Sequence, residues 1–416
     1  MSIDVFVLGQ KAKKAAATMA NLDSTTKNEA LLKIAAGLLA NQDRILAANR
    51  GEVTKAKANG LSDSMTERLL LNPDRIAAMV EGLREIVRLE DPVGSVEKMW
   101  RRPNGLEIGL IRVPLGVVAI IYEARPNVTV DATALCLKTG NAVILRGGSE
   151  ALQTNQVLVE VIREALRDTA IPEDAVQLLA STEREAAVAL MRMHEYVDVL
   201  IPRGGAGLIK TVLNNALVPV IETGVGNCHT YVDASANLDQ ALKIVVNAKT
   251  QRPSVCNALE TLLVHQGIAA DFLPRCGEEL RRMGTEIRGC PQTLSYLPWA
   301  TKATEEDWAT EYLDLILAVK VVPDFAAAID HIAQYGSGHS ESIITSDYAT
   351  ARQFLQVVDA AAVYVNASTR FTDGYEFGLG AELGISTQKL HARGPMGLSA
   401  LTTTKYIIYG DGQIRR

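Results

Sequence analysis

The spacing of apolar positions changes character twice along the chain. Over residues 4–92 apolar side chains recur at helical spacing, as in Ile76, Met79, Val80 and Leu83. That run follows Asn72-Pro73, a capping residue ahead of a proline at the first helical position. Ser64 and Glu67 have capping-box spacing for another short helix. From Trp100 to Ile108 the pattern turns to alternation broken by Asn104-Gly105, which predicts a β-hairpin.

Beyond residue 112 short β-branched runs alternate with helical stretches. Strands are expected over 117–121, 142–145, 176–179 and 197–201. The intervening helices fall over 130–138 (ended by Gly140), about 150–167, and 183–195. A second segment of this kind starts near 225, with strands over 260–264 and 315–322 and a helix over 271–283. Residues 405–409 have edge-strand character. Buried strands alternating with helices of this length predict parallel sheets with right-handed crossovers. The expected fold is therefore α/β, with two parallel-sheet domains plus a small β element.

Composition narrows the class. A chain of 416 residues is expected to hold two or three domains. Hydrophobic content of 48% with 22% charged residues is that of an ordinary globular protein. A net charge of −6 opposes a nucleic-acid surface, which needs a basic field. The five cysteines (Cys136, Cys228, Cys256, Cys276, Cys290) lack CxxC spacing, so neither a disulfide framework nor a metal site is expected. With no basic n-region at Met1 to Val5 and no stretch of membrane-spanning length, the expectation is a cytoplasmic protein without membrane contact.

The candidate chemistry centres on Cys256 and Glu222, 34 residues apart. A thiol that attacks an acyl carbon, with a carboxylate supplied from the end of a preceding strand, makes a nucleophile and base. Such a pair alone means little, because most cysteines are small buried hydrophobes. GxGxxG and GxxxxGK[ST] loops are absent. Two other loops follow parallel strands and precede helices: Arg146-Gly147-Gly148-Ser149 and Arg203-Gly204-Gly205-Ala206-Gly207. Each could turn backbone N–H groups and a cation toward a pyrophosphate, or could simply make a tight turn.

The order of Asn127, Arg146, Glu222-Thr223-Gly224, Cys256 and Glu311 resembles the aldehyde dehydrogenase superfamily. Longer stretches resemble its γ-glutamyl phosphate reductase branch. They are Tyr122-Glu123-Ala124-Arg125-Pro126-Asn127-Val128, Gly224 to His229, Gln251-Arg252-Pro253-Ser254-Val255-Cys256-Asn257-Ala258 and His331 to Glu341. Phe377 to Ser386 and His391 to Leu398 complete a similarity covering essentially the whole chain. One departure is Tyr375, where a second glycine is expected.

The resemblance implies NADPH-dependent reduction of L-glutamyl 5-phosphate to glutamate 5-semialdehyde with loss of phosphate, in proline biosynthesis. Cys256 would displace phosphate and carry a thioester. Asn127, with the backbone N–H of the nucleophile, would form an oxyanion hole, and a turn Asn is the bland alternative. Glu222 would help to deprotonate Cys256 or position the cofactor. Cofactor contacts would come from Arg146, Gly204, Gly205, Thr223, Gly224 and Glu311. Among them Glu311 would hold the nicotinamide ribose, and Arg146 would favour NADP(H) through a 2′-phosphate. Substrate-binding candidates are Arg252, Arg125, Ser337 and His339, with Arg252 suited to the thiolate, the leaving phosphate or the substrate carboxylate.

By the same resemblance, residues 1–95 and 114–224 would bind the dinucleotide, and 225–395 would carry the nucleophile. Residues 96–113 and 396–416 would form a β oligomerisation element. The implied partners are the small acyl phosphate, further copies of the chain as a dimer or tetramer, and glutamate 5-kinase. The alternatives are a dehydrogenase that oxidises a semialdehyde with water, and a catalytically silent relative serving as a binding subunit.

Overall fold

The computed structural model describes residues 5–60 and 63–415. Of the residues Met1 to Val5, which carry no basic n-region, the first four lie outside the described residues, as does any cap made by the Ser64 side chain. The chain forms two compact units. The first comprises 1–222, 378–384 and 396–416; the second comprises 223–377 and 385–395.

The first unit begins with the helices Val5–Met19, Ser24–Ala40, Gln42–Ala58, Asp63–Leu69 and Pro73–Arg88. Asn72 accepts the Arg75 N–H at 2.8 Å and Pro73 occupies the first turn, as the sequence requires. Ile76, Met79, Val80 and Leu83 are buried on one face of that helix. Four parallel strands follow in the spatial order Val176–Leu178, Ala142–Arg146, Val117–Tyr122, Val199–Arg203. Every residue of Val117–Tyr122 is buried, which is why this strand reads as a continuous apolar run rather than an alternation.

The expected hairpin is Val96–Arg101 against Glu107–Pro114, with Gly105 at a φ of 91°. Thr402–Tyr409 adds to it antiparallel, in the register Thr402↔Pro114 to Tyr409↔Glu107. This three-stranded sheet belongs to the first unit and is not a separate body.

The second unit is built on seven parallel strands in the order Thr301–Lys302, Glu286–Gly289, Ile316–Val322, Leu259–His265, Cys228–Val232, Ser340–Ile344, Ala362–Val365. Leu262, Val264, Phe272, Leu273 and Val319 pack in one core cluster. Tyr231, Leu263, Ile343 and Phe354 pack in another.

Several boundaries differ from the sequence expectation. The helix expected from 130 is Pro126–Lys138, because a proline in the first turn has no N–H to satisfy. The helix expected from 271 is Gln266–Arg282, started by a His265 side chain that accepts the Gly267 N–H and continued through Pro274. The helix expected over 183–195 stops at Arg192, and the next strand starts at Val199. There the N–H groups of Tyr196 and Val197 turn back to the Met193 carbonyl. Finally, 378–384 leaves the expected 225–395 segment for the first unit. Gly380 (φ 76°) packs on Leu89, and the Leu383 N–H bonds the Met396 carbonyl at 3.0 Å. Tyr375 is exposed and is not among the positive-φ residues, so its backbone does not require the glycine expected there.

Candidate active site

In the second unit the candidate residues collect at the N-terminal ends of neighbouring strands. Gly226 and Asn227 precede Cys228–Val232, Cys256 and Asn257 precede Leu259–His265, and Ser337 to His339 precede Ser340–Ile344. Adjacency of these strands in the sheet is what brings the segments together. Ligand crevices of open α/β sheets lie at the opposite, carboxyl ends. Strand periodicity therefore could not have located this edge.

Cys256 occupies a turn closed by the Ala258 N–H on the Val255 carbonyl at 3.1 Å. It is half-buried, whereas the other four cysteines are buried, and no disulfide joins any of the five. The Cα of Gly226 packs directly on the Cys256 carbonyl, leaving no room for a Cβ. The Cys228 thiol donates to that same carbonyl at 3.2 Å. Burial pushes the Cys228 thiol far up, so it stays a neutral donor.

Gly226 and Asn227 also gather the surrounding loops. The Gly226 N–H donates to Glu311 Oε1 at 2.7 Å, and the Asn227 N–H donates to Ser337 Oγ at 3.0 Å. The Asn227 amide donates to the Trp308 and Tyr335 carbonyls, both at 2.8 Å. Ser337, expected to meet substrate, thus has its oxygen engaged within this hub.

His339, the other substrate-side candidate on this segment, lies deeper. It is completely buried, and burial lowers its pKa to about 4, which keeps the ring neutral. Its Nδ1 lies 2.8 Å from Ser340 Oγ and 3.7 Å from Cys228 Sγ. Its Nε2 is buried without a hydrogen-bond partner among the described residues.

Glu311 is half-buried, and burial raises its pKa against the Gly226 hydrogen bond. The loop that carries it is held by a device with no sequence signature. Leu313 adopts a left-handed φ of 54°, and its N–H donates to Glu260 Oε1 at 3.2 Å. Glu260 is wholly buried and pairs with buried Lys249 at 2.6 Å. Burial pushes Glu260 up and Lys249 down, while their mutual attraction opposes both shifts. In the same unit Thr223 is buried, and the Gly224 N–H bonds the Ile385 carbonyl at 3.1 Å. The Gly224 Cα rests on the Thr387 side chain, again where no Cβ fits.

Asn257 clamps the Cys256 turn to the following segment. Its amide donates to the Thr372 carbonyl at 2.9 Å and the Arg370 carbonyl at 3.3 Å, and its own carbonyl accepts from Thr369 Oγ1 at 2.8 Å. Arg370, which sequence reasoning missed, returns a hydrogen bond to Asn257 Oδ1. Arg252 is exposed beside it.

In the first unit the candidates stand at the carboxyl ends of strands, as the general rule expects. Arg146 ends one strand, and its Nε is buried without a hydrogen-bond partner among the described residues. Such an orphaned donor fits a bound phosphate. Gly147 packs on Tyr122 and Asn155, which are linked through Thr129 by hydrogen bonds of 2.6 and 2.9 Å.

The pyrophosphate expectation for the first loop is not met at its helix. The N–H groups of Gln153 and Thr154 donate to the Glu52 carboxylate at 2.6 and 2.9 Å, which caps Leu152–Leu166. At the second loop the Gly205 N–H donates to Glu123 Oε2 at 2.9 Å, so an exposed carboxylate sits where a phosphate was expected. Arg203 packs on Gly384 (φ 121°) and lies close enough to Asp131 to stabilise that carboxylate; it is not a spare cation for the loop.

Asn127 is exposed in the first turn of Pro126–Lys138 and donates its amide to Asp131 Oδ2 at 2.9 Å. Burial raises the Asp131 pKa to about 6, opposed by Asn127 and Arg203. Arg125 is the exposed residue before that helix. Glu222 is half-buried just after the bridge that pairs Val220 with Leu200. Among the described residues no group of three His, Cys, Asp or Glu side chains could hold a metal, and no helix is long and apolar enough to cross a membrane.

The aldehyde dehydrogenase family profile matches residues 4–292. The chain is 62% identical, over the full length of both, to the γ-glutamyl phosphate reductase of Moorella thermoacetica. It is 63% identical to that of Carboxydothermus hydrogenoformans, over 99% of each chain. The crystal structure of the γ-glutamyl phosphate reductase of Thermotoga maritima superimposes with a TM-score of 0.98 at 51% identity, covering 100% of both chains.

Proposed function

The chain belongs to the aldehyde dehydrogenase family, in its γ-glutamyl phosphate reductase branch, and we propose that it reduces L-glutamyl 5-phosphate to glutamate 5-semialdehyde with NADPH, in proline biosynthesis. The observation that carries the chemistry is Cys256, the half-exposed cysteine whose backbone is fixed by Gly226, Cys228 and Asn257. A nucleophile needs its Sγ presented in one direction, and a carbonyl anchored on both sides provides that.

In this reading Cys256 Sγ bonds to the acyl carbon while the carbon–oxygen bond to phosphate breaks, leaving a thioester. A reduced nicotinamide supplies the hydride that takes the thioester to the aldehyde level. Asn127 is assigned to the oxyanion, where losing one donor costs roughly 2.7–4 kcal/mol in the barrier. Glu222 is assigned to thiol deprotonation rather than water activation, since hydrolysis of the thioester would waste substrate. Arg252 and Arg125 are the substrate-side cations. For the cofactor, Arg146 is assigned to the 2′-phosphate, with Gly204 and Gly205 on the same side. Thr223, Gly224 and Glu311 are assigned to the nicotinamide half. Glu123 must yield its hydrogen bond to Gly205 if that N–H is to meet a phosphate.

The β element is assigned to homo-oligomerisation. Val96–Arg101 and Thr402–Tyr409 are the outer strands of their sheet, and Val96, Met99, Tyr406, Ile408 and Tyr409 are exposed on them. Sedimentation after deletion of 403–416 tests this. A lower assembly state is expected, and a fully active monomer would refute the assignment.

The activity is tested in reverse, as phosphate-dependent reduction of NADP by glutamate 5-semialdehyde. The expected result is turnover that requires phosphate and disappears in Cys256→Ala. Equal turnover with water alone would return the chain to the ordinary dehydrogenase reading.

A further inference from the structure

Arg252 lies on the loop that carries the proposed nucleophile and Arg370 is hydrogen-bonded to that loop, and among the described residues neither forms an ion pair. Arg370 Nε donates to Gln251 Oε1 at 2.8 Å, and its Nη1 donates to Asn257 Oδ1. One guanidinium thereby spans both ends of the 251–257 loop. Both of its acceptors are neutral amides.

Among the described residues neither arginine has a carboxylate within ion-pair distance, although many other surface arginines do. The carboxylate that does influence Arg370, Asp373, is turned instead to the N–H groups of Tyr375 and Glu376. Arg370 is half-buried, and its pKa is lowered first by that burial and then by Arg252. Two like charges on neighbouring segments, one of them half-buried and neither paired with a carboxylate among the described residues, mark a place prepared for an anion.

We propose that Arg252 and Arg370 form the subsite for the phosphate group of the acyl phosphate. This rests on the reductase reading given above and names the part of the substrate that the two arginines hold. Phosphate is bonded directly to the carbon that Cys256 attacks, whereas the substrate's α-carboxylate stands at the far end of its chain. Cations on the nucleophile's own loop suit the nearer group, and planar guanidinium forks match phosphate oxygens in pairs. In the forward direction the carbon–sulfur bond forms, the carbon–oxygen bond breaks, and phosphate leaves with the electron pair. The two arginines take up the charge that grows on the departing oxygen. In reverse, inorganic phosphate attacks the thioester and Cys256 leaves as the thiolate.

Inorganic phosphate is the probe, in the oxidation of glutamate 5-semialdehyde at saturating NADP. Arg252→Gln removes one charge from a side chain that makes no hydrogen bond among the described residues. Arg370→Lys keeps the charge and loses the fork. Each should raise the KM for phosphate about tenfold, a loss of the size expected for a charge-assisted contact. The KM for semialdehyde should stay within about twofold. Phosphate should also protect Cys256 from iodoacetamide in the wild type and do so less well in both variants.

A rise confined to the semialdehyde KM would overturn the proposal and move the pair to the α-carboxylate. Unchanged phosphate KM in Arg252→Gln would overturn it even if Arg370→Lys failed to fold. Absence of any phosphate-dependent oxidation in the wild type would instead defeat the reductase reading, and this subsite with it.

Discussion

The backbone carbonyl of Cys256 lies directly against the Cα of Gly226, with no space between them for a methyl group. Gly226→Ala should therefore push the nucleophile turn out of position. A displacement of this kind should lower kcat about 100-fold. Because the methyl meets backbone that cannot give cheaply, the melting temperature should fall as well, and the kcat loss is read on the protein that remains folded. Steady-state kinetics alongside a melting curve would check this, and a variant with normal kcat would show that the contact does not position the thiol.

The Lys249–Glu260 pair should reveal itself through the loop bearing Glu311. Glu260→Gln leaves a buried ammonium unmatched, which costs about 3–5 kcal/mol by analogy with other broken buried pairs. Lys249→Met with Glu260→Gln should recover most of that stability and keep an acceptor for the Leu313 N–H. Lys249→Met with Glu260→Leu should fold as well but lose the acceptor, and only this variant should show a raised KM for NADPH. Denaturant melts and cofactor titrations separate the outcomes. Equal cofactor KM in the two double variants would remove Glu260 from any role in placing Glu311.

Arg146→Glu should discriminate between the cofactors. Replacing a cation with an orphaned donor by a carboxylate repels a 2′-phosphate but leaves a plain ribose hydroxyl tolerated. The KM ratio of NADPH to NADH should move by roughly tenfold or more, corresponding to about 1.4 kcal/mol. Equal losses for both cofactors would assign the preference elsewhere.

What could be read from the sequence was whatever periodicity or local chemistry encodes. Continuous apolar runs marked the buried parallel strands, Asn72-Pro73 marked a helix start, and Asn104-Gly105 marked the hairpin. The motif around Cys256 singled out the cysteine proposed here as the nucleophile. Arg370 went unseen because its importance comes from Gln251 and Asn257, more than a hundred residues away in sequence. Glu260 is hidden among the apolar residues of its strand, and nothing local to Lys249 at its helix end signals burial or the pairing. His339 looked like a possible cation because nothing local announces its complete burial. The crossing of 378–384 to the first unit depends on Gly380 meeting Leu89, a contact between distant parts of the chain.

The central claim is that Cys256 carries a thioester which phosphate, and not water, resolves. Rapid mixing of enzyme with glutamate 5-semialdehyde and NADP in the absence of phosphate measures it most directly. The account predicts a burst of about one NADPH per subunit and then a stall, with intact-mass spectra showing a glutamyl adduct on Cys256. Adding phosphate should restart turnover and clear the adduct. Steady NADPH formation without phosphate, or a burst that persists in Cys256→Ala, would contradict it.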